Sequence, residues 1–222
     1  MNCADKPAWF VTGTDTEVGK TFVTCALLDI LRRQGVKAVA MKPVAAGTDA
    51  AGRNDDVELL LAASAFAAPR ELVNPYLFAP AIAPHIAAAE AGCAIDIGHI
   101  VGAFAALREL ADAVLVEGVG GFCVPLGATD DTADLAERLE LPVILVVGMR
   151  LGCINHALLT VQAIAARRLT LCGWIANRID SRMPRFDANL AALKERIGAP
   201  LLGVVPSGST PQDAARLIRI PA

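Results

Sequence analysis

The segment Gly13-Thr14-Asp15-Thr16-Glu17-Val18-Gly19-Lys20-Thr21 constrains this chain more than any other feature, because it joins an apolar run to an amphipathic stretch. Glycines let backbone N–H groups turn inward around a polyphosphate. The lysine reaches its outer phosphates, and the next hydroxyl suits Mg²⁺. A strand before such a loop and a helix after it aim the helix dipole at the anion. The segment therefore predicts a phosphate loop that binds ATP. Its spacing is unusual: five residues, 14–18, separate the two glycines, where the common motif has four. Asp15 and Glu17 also bring acid close to a polyanion, so this loop is expected to touch something besides nucleotide.

The rest of the chain repeats that strand–helix rhythm. Near-continuous apolar runs at 9–12, 36–41, 113–116, 142–147, 171–176 and 201–205 read as parallel strands covered on both faces. Helical periodicity falls between them at 20–34, 55–63, 95–110, 132–139, 155–168 and 184–197. Together they predict an α/β fold of the P-loop NTPase kind, a doubly wound parallel sheet with helices on both faces. No linker or repeat divides the chain, so one ATP-binding domain over 1–222 is expected, with 79–92 as an irregular excursion. At 55% hydrophobic and 19% charged residues, the chain can bury a large core.

A net charge of −3 argues against a nucleic-acid partner. The long uncharged stretch between Glu71 and Glu90 is broken by Pro75, Pro80 and Pro84, which argues against a membrane span. The first ten residues lack an apolar secretory core, and a cytoplasmic location is expected. Six cysteines form no C-x-x-C pair, so they read as reduced, small apolar side chains and not as a zinc site.

Three further positions bear charge where open α/β sheets place ligands. Lys42 ends the second strand and reads equally as a ligand group or a solvated lysine. Asp56 opens a helix after Asn54 and Asp55; on its own it reads as a capping acid, with a metal carboxylate as the other reading. Glu117 ends an apolar strand before Gly118-Val119-Gly120-Gly121, the place of a carboxylate that orients Mg²⁺. Residues 151–155 begin a helix whose free amides suit a carboxylate. His85 and His156 read as structural.

The motifs GTDTEVGKT (13–21), MKPVAAG (41–47), RNDD (53–56), NPYLF (74–78), APHI (83–86), VEGVGG (116–121), PVILVVG (142–148), LGCINHALLT (151–160), GWIAN (173–177) and PLLG (200–203) stand in unbroken order. In this the chain resembles the dethiobiotin synthetases, and the likeness fades after Pro206. The resemblance implies that ATP, CO₂ and 7,8-diaminononanoate (diaminopelargonate) give dethiobiotin, ADP and phosphate, through a carbamate and its mixed anhydride with phosphate. It places Lys42, Lys20 and Thr16 at the reacting centre. It also implies nucleotide binding by Gly13 to Thr21, Glu117, Asn177 and Pro206, and Mg²⁺ on Thr21, Asp56 and Glu117. The diamine would meet Thr16, Lys42 and Gly118. The substrate's tail carboxylate would meet Leu151, Gly152, Cys153 and Asn155 across a homodimer interface.

The chain departs from the family pattern at two places. Ala46 stands where the family carries a hydroxyl, which water or Thr48 would have to supply. Pro206-Ser207-Gly208 replaces Pro-Trp-Leu, so looser base selectivity is expected. Two rival readings fit less well. An amidoligase of the cobyrinate type would need a glutamine-handling domain that does not fit this length. A partitioning-type ATPase switch usually carries a second lysine near the start of the loop, where Thr14 stands.

Overall fold

The computed structural model describes residues 6–221. Cys3, the first half of the ten-residue segment read for a secretory core, and the outermost ends of the 1–222 domain expectation lie outside the described residues. The strands are β1 (Ala8–Gly13), β2 (Ala38–Met41), β3 (Val44–Ala46), β4 (Tyr76–Phe78), β5 (Ala113–Glu117), β6 (Val143–Gly148), β7 (Leu171–Asn177) and β8 (Leu201–Val205). The helices are α1 (Lys20–Arg33), α2 (Asp55–Ala63), α3 (Arg70–Val73), α4 (Pro84–Glu90), α5 (Ile97–Leu110), α6 (Thr132–Leu139), α7 (Cys153–Ala166), α8 (Phe186–Arg196) and α9 (Pro211–Ala214).

Six strands form one parallel sheet in the order β2-β5-β1-β6-β7-β8. The apolar runs are unbroken because both faces are covered. Along β1, Phe10 packs with Val116, Ile100 and Leu107 on one face, while Trp9 and Val11 join Val23, Leu27 and Ile175 on the other. From β6 outward, Leu145, Val147 and Trp174 extend the first face under α7 and α8. This is the doubly wound P-loop architecture read from the sequence. The chain leaves β1 toward β2 on one side and later crosses from β5 to β6 on the other. The carboxyl edge of β1 is thus the switch point, where such sheets bind ligands.

The differences from the sequence reading have local causes. The second strand starts at Ala38 and not at residue 36. The helix read over 95–110 starts at Ile97, because the Asp96 side chain accepts from the Gly98 N–H. The helix read over 155–168 spans Cys153–Ala166. The stretch read as irregular contains α4. Its Pro84 occupies the first turn, where a missing N–H costs nothing, so the proline that looked like a breaker starts a helix. A separate two-stranded parallel sheet, β3 with β4, was not legible either. Among the described residues, no helix is long and apolar enough to cross a membrane.

Candidate active site

The phosphate loop leaves β1 at Gly13 and enters α1 at Lys20. Its fifth residue is explained by Val18, which is buried and plugs the sheet edge. A Cβ on either Gly13 or Gly148 would fall 2.6 Å from a Val18 methyl. Glu17 adopts a left-handed φ of 59° to turn Val18 inward, a conformation that a non-glycine residue holds only under constraint. Gly19 follows at φ 87°, and a Cβ there would lie 2.2 Å from Asn177 Nδ2. That amide donates to the Val18 carbonyl at 2.9 Å, so Asn177 fastens the loop from the end of β7. On the other flank, the Thr14 N–H donates to the Val146 carbonyl (3.0 Å), and the Gly148 N–H donates to Thr14 Oγ1 (3.3 Å).

A cavity of ≈ 380 Å³ opens at this edge, lined by Thr16, Glu17, Gly19, Lys20, Thr21, Lys42 and Asp56, with Phe22, Ala45, Ala46, Asn54, Leu59, Val119 and Gly120 completing its wall. Lys42 is no solvated lysine. It is buried, and its Nζ donates to Glu117 Oε1 at 2.6 Å and to Asp56 Oδ2 at 3.0 Å. Burial alone would lower its pKa, but the two carboxylates outweigh burial and hold it above the ordinary lysine value. Its backbone is fixed as well, because buried Asn74 donates to the Lys42 carbonyl at 2.6 Å.

Glu117 Oε1 also accepts from Thr21 Oγ1 at 2.6 Å. Oε2 of the same carboxylate is buried and has no hydrogen-bond partner among the described residues. Asp56 is held below the usual carboxylate range: burial would raise it, and the Lys42 charge and hydrogen bond overcome burial. The capping duty considered for Asp56 belongs instead to Asn54, whose side chain accepts from the Val57 N–H and donates to the Gly47 carbonyl. Lys20 donates to the Asp15 carbonyl at 3.0 Å. Burial, then the nearby positive charge of Lys42, push its pKa down to about 8.

Thr16, Glu17, Gly19, Lys20, Thr21, Lys42 and Asp56 thus share one cavity, and Glu117 lies directly beneath it. Other expected site residues lie apart from that cavity wall. Gly118 is buried against Phe10, and its N–H donates to the Val11 carbonyl, so Val119 and Gly120 face the cavity instead. Leu151, Gly152 and Asn155 are exposed and Cys153 is buried, and none of the four lines the cavity. Of the amides expected to be free there, the Cys153 N–H already donates to the Arg150 carbonyl at 3.0 Å. Pro206 is exposed beyond β8, and Thr48 lines a neighbouring hollow with Asp49 and Arg53. Ala46 does reach the cavity. Sequence reasoning missed Arg150, whose Nη2 lies 2.5 Å from Asp15 Oδ2. Its partner is 135 positions away, and no local motif signals the pairing.

Comparisons with known proteins bear on the fold and the family. A family model described as an AAA domain matches residues 8–213. The chain is 62% identical over 219 residues to the ATP-dependent dethiobiotin synthetase BioD of Aromatoleum aromaticum, covering 96% of this chain and 97% of that protein. It is 56% identical to the protein of the same name from Janthinobacterium sp., covering 93% and 90% of the two chains. Among solved structures, it resembles septum site-determining protein MinD of Pyrococcus horikoshii, complexed with Mg-ADP, at 18% identity and a TM-score of 0.55, covering 90% of this chain and 81% of that one. It also resembles a ParA family ATPase of Chlorobium tepidum at 14% identity and a TM-score of 0.56, covering 95% and 88%. At those identities, the solved structures speak for the fold alone. The sequence relatives go further: the chain belongs to the dethiobiotin synthetase family of ATP-dependent cyclo-ligases.

Proposed function

We propose that this chain converts 7,8-diaminononanoate, CO₂ and ATP into dethiobiotin, ADP and phosphate. The observation that carries the reading is the buried Lys42–Glu117 pair, set beside Lys20, Thr21 and Asp56 at one cavity. One substrate amine captures CO₂ and loses a proton to become a carbamate. A carbamate oxygen attacks the γ-phosphorus and releases ADP. The second amine then attacks the carbonyl carbon of that mixed anhydride, loses a proton, expels phosphate and closes the ring. Carbamate and triphosphate are both anions, so the chain's task is to hold them together against their repulsion. Lys20 and Lys42 supply fixed positive charge, and Thr16 orients the diamine from the loop.

Thr21, Asp56 and Glu117 fit a hard divalent cation. They are oxygen donors, as Mg²⁺ requires, and one buried oxygen of Glu117 is unpartnered. Among the described residues no three His, Cys, Asp or Glu side chains cluster as metal ligands, which suits an ion that keeps waters and phosphate oxygens as its other ligands. Mg²⁺ bound there would neutralise polyphosphate charge. Gly13 to Thr21 would cradle the phosphates, with Asn177 and Pro206 toward the base.

We place the reaction in the cytoplasm, on a homodimer of single-domain chains over 1–222, with no nucleic acid or membrane partner. Leu151, 91% exposed just before α7, and Leu159, 56% exposed midway along it, support a second copy against α7. Leu151, Gly152, Cys153 and Asn155 would there take the tail carboxylate, with Gly118 behind the loop. Incubation with ATP, Mg²⁺, bicarbonate and the diamine should yield dethiobiotin by mass spectrometry. Its absence from a folded, ATP-binding preparation would refute the proposal.

A further inference from the structure

Asp15 and Glu17 make the phosphate loop acidic, which is adverse for a loop that must receive a polyanion. The structure meets half of that difficulty with a residue outside the loop. Arg150, in the connection from β6 to α7, places Nη2 2.5 Å from Asp15 Oδ2. The other oxygen, Oδ1, accepts from the Thr16 N–H at 2.8 Å, and the Asp15 carbonyl accepts from Lys20 Nζ at 3.0 Å. Asp15 is thus joined to the loop lysine, to a loop amide and to one external cation.

We infer that Arg150 is a positioning residue for ATP: it is the counter-charge that cancels Asp15, so that the loop presents Lys20 to the polyphosphate without a competing anion. A purely mechanical role is already filled. Thr14 is bonded to β6 at Val146 and Gly148, Val18 is packed under Gly13 and Gly148, and Asn177 holds the Val18 carbonyl. What the Arg150–Asp15 pair adds to those tethers is charge. Its side chains are 42% and 44% exposed, so the effect is screened by salt. The inference rests on the reading of this loop as the ATP site.

The test is Mg-ATP binding by calorimetry for the wild type, Arg150→Gln, Arg150→Lys, Asp15→Asn and the Asp15→Asn/Arg150→Gln double variant, with adenosine as an uncharged probe. Arg150→Gln should weaken ATP binding about three- to tenfold at low salt, as expected for one uncompensated charge several ångströms from a polyphosphate. Adenosine binding should not change, and Arg150→Lys should restore most of the ATP affinity. The double variant should return to within about twofold of wild type, because it removes the offending anion with its partner. Unchanged ATP affinity in Arg150→Gln would overturn the inference. So would a double variant as weak as Arg150→Gln, which would mean a tether and not a counter-charge. An equal loss for adenosine would overturn it too. Melting temperatures within about 3 °C of wild type are expected for a partly exposed pair, which keeps the comparison among folded proteins. A wild-type protein that binds no ATP would refute the reading of the loop instead.

Discussion

Lys42 Nζ lies 2.6 Å from Glu117 Oε1, and the two side chains are 4% and 0% exposed. Removing one partner of a pair this deeply buried leaves an uncompensated charge, at a cost of about 3–5 kcal/mol. Lys42→Ala is therefore expected to lower the melting temperature. It should also cut dethiobiotin formation by at least about 100-fold, the scale set by losing one preorganised charge at a reacting centre. Some ATP binding should survive through Lys20 and the loop amides. Wild-type turnover in this variant would remove Lys42 from the reacting centre.

Asp56 differs from its neighbours because its removal spares the helix. Asn54 already caps α2, and Asp56 instead faces Lys42 with a side chain that is 45% exposed. Asp56→Asn should raise the Mg²⁺ concentration for half-maximal rate by about 10- to 100-fold, the range seen when a group supporting a metal site is lost. Melting should change little. The check is a Mg²⁺ titration of product formation, and a curve overlying wild type would take Asp56 out of the metal-holding set.

Gly19 tests how the loop is held. At φ 87°, an alanine would cost about 1–2 kcal/mol in backbone strain alone. Its Cβ would also displace the Asn177 amide and break the bond to the Val18 carbonyl. Gly19→Ala should weaken ATP binding about tenfold or more, equivalent to at least 1.4 kcal/mol. Calorimetry on the folded variant decides it, since wild-type affinity would show that Asn177 does not secure the loop.

These residues divide by how their signal reaches the sequence. Lys20 and Thr21 were legible because they directly follow Gly19 at a strand-to-helix turn, where phosphate binding needs them, even though Gly13 stands one residue farther back than usual. The parallel sheet was legible because coverage on both faces leaves unbroken apolar runs such as β6 (Val143–Gly148), fully buried along its length. Lys42 and Glu117 were placed by their position at strand ends, but their pairing depends on β2 lying beside β5, which only the assembled sheet fixes. Arg150 carried no signal, since an arginine in a loop usually meets water and its partner is remote in sequence. Pro84 misled because proline breaks a helix from within but suits its first turn. The start of α7 was read two residues late because Gly152, at φ 95°, caps it without a side-chain bond.

The cysteines offer a test of packing that is independent of catalysis. Burial pushes the Cys25 thiol up to about 12, with the Glu117 and Asp56 charges adding to the effect, and burial pushes Cys172 up to about 11. Cys25 Sγ also lies 3.8 Å from the Leu59 carbonyl, in the contact between α1 and α2. Cys93 and Cys123 are exposed, though partial burial raises the Cys123 thiol as well. Alkylation requires the thiolate, and at pH 8 a thiol of pKa 12 is ionised to only about one part in 10⁴. Iodoacetamide at pH 8 should modify Cys93 first and Cys123 more slowly. Cys25 and Cys172 should react at least about 100-fold more slowly until denaturant is added. Peptide mass mapping reads each site separately, including Cys3. Native labelling of Cys25 at the rate of Cys93 would mean that the α1–α2 contact opens readily. Asp56 on α2 would then not be held beside Lys42 as firmly as the proposed reaction requires.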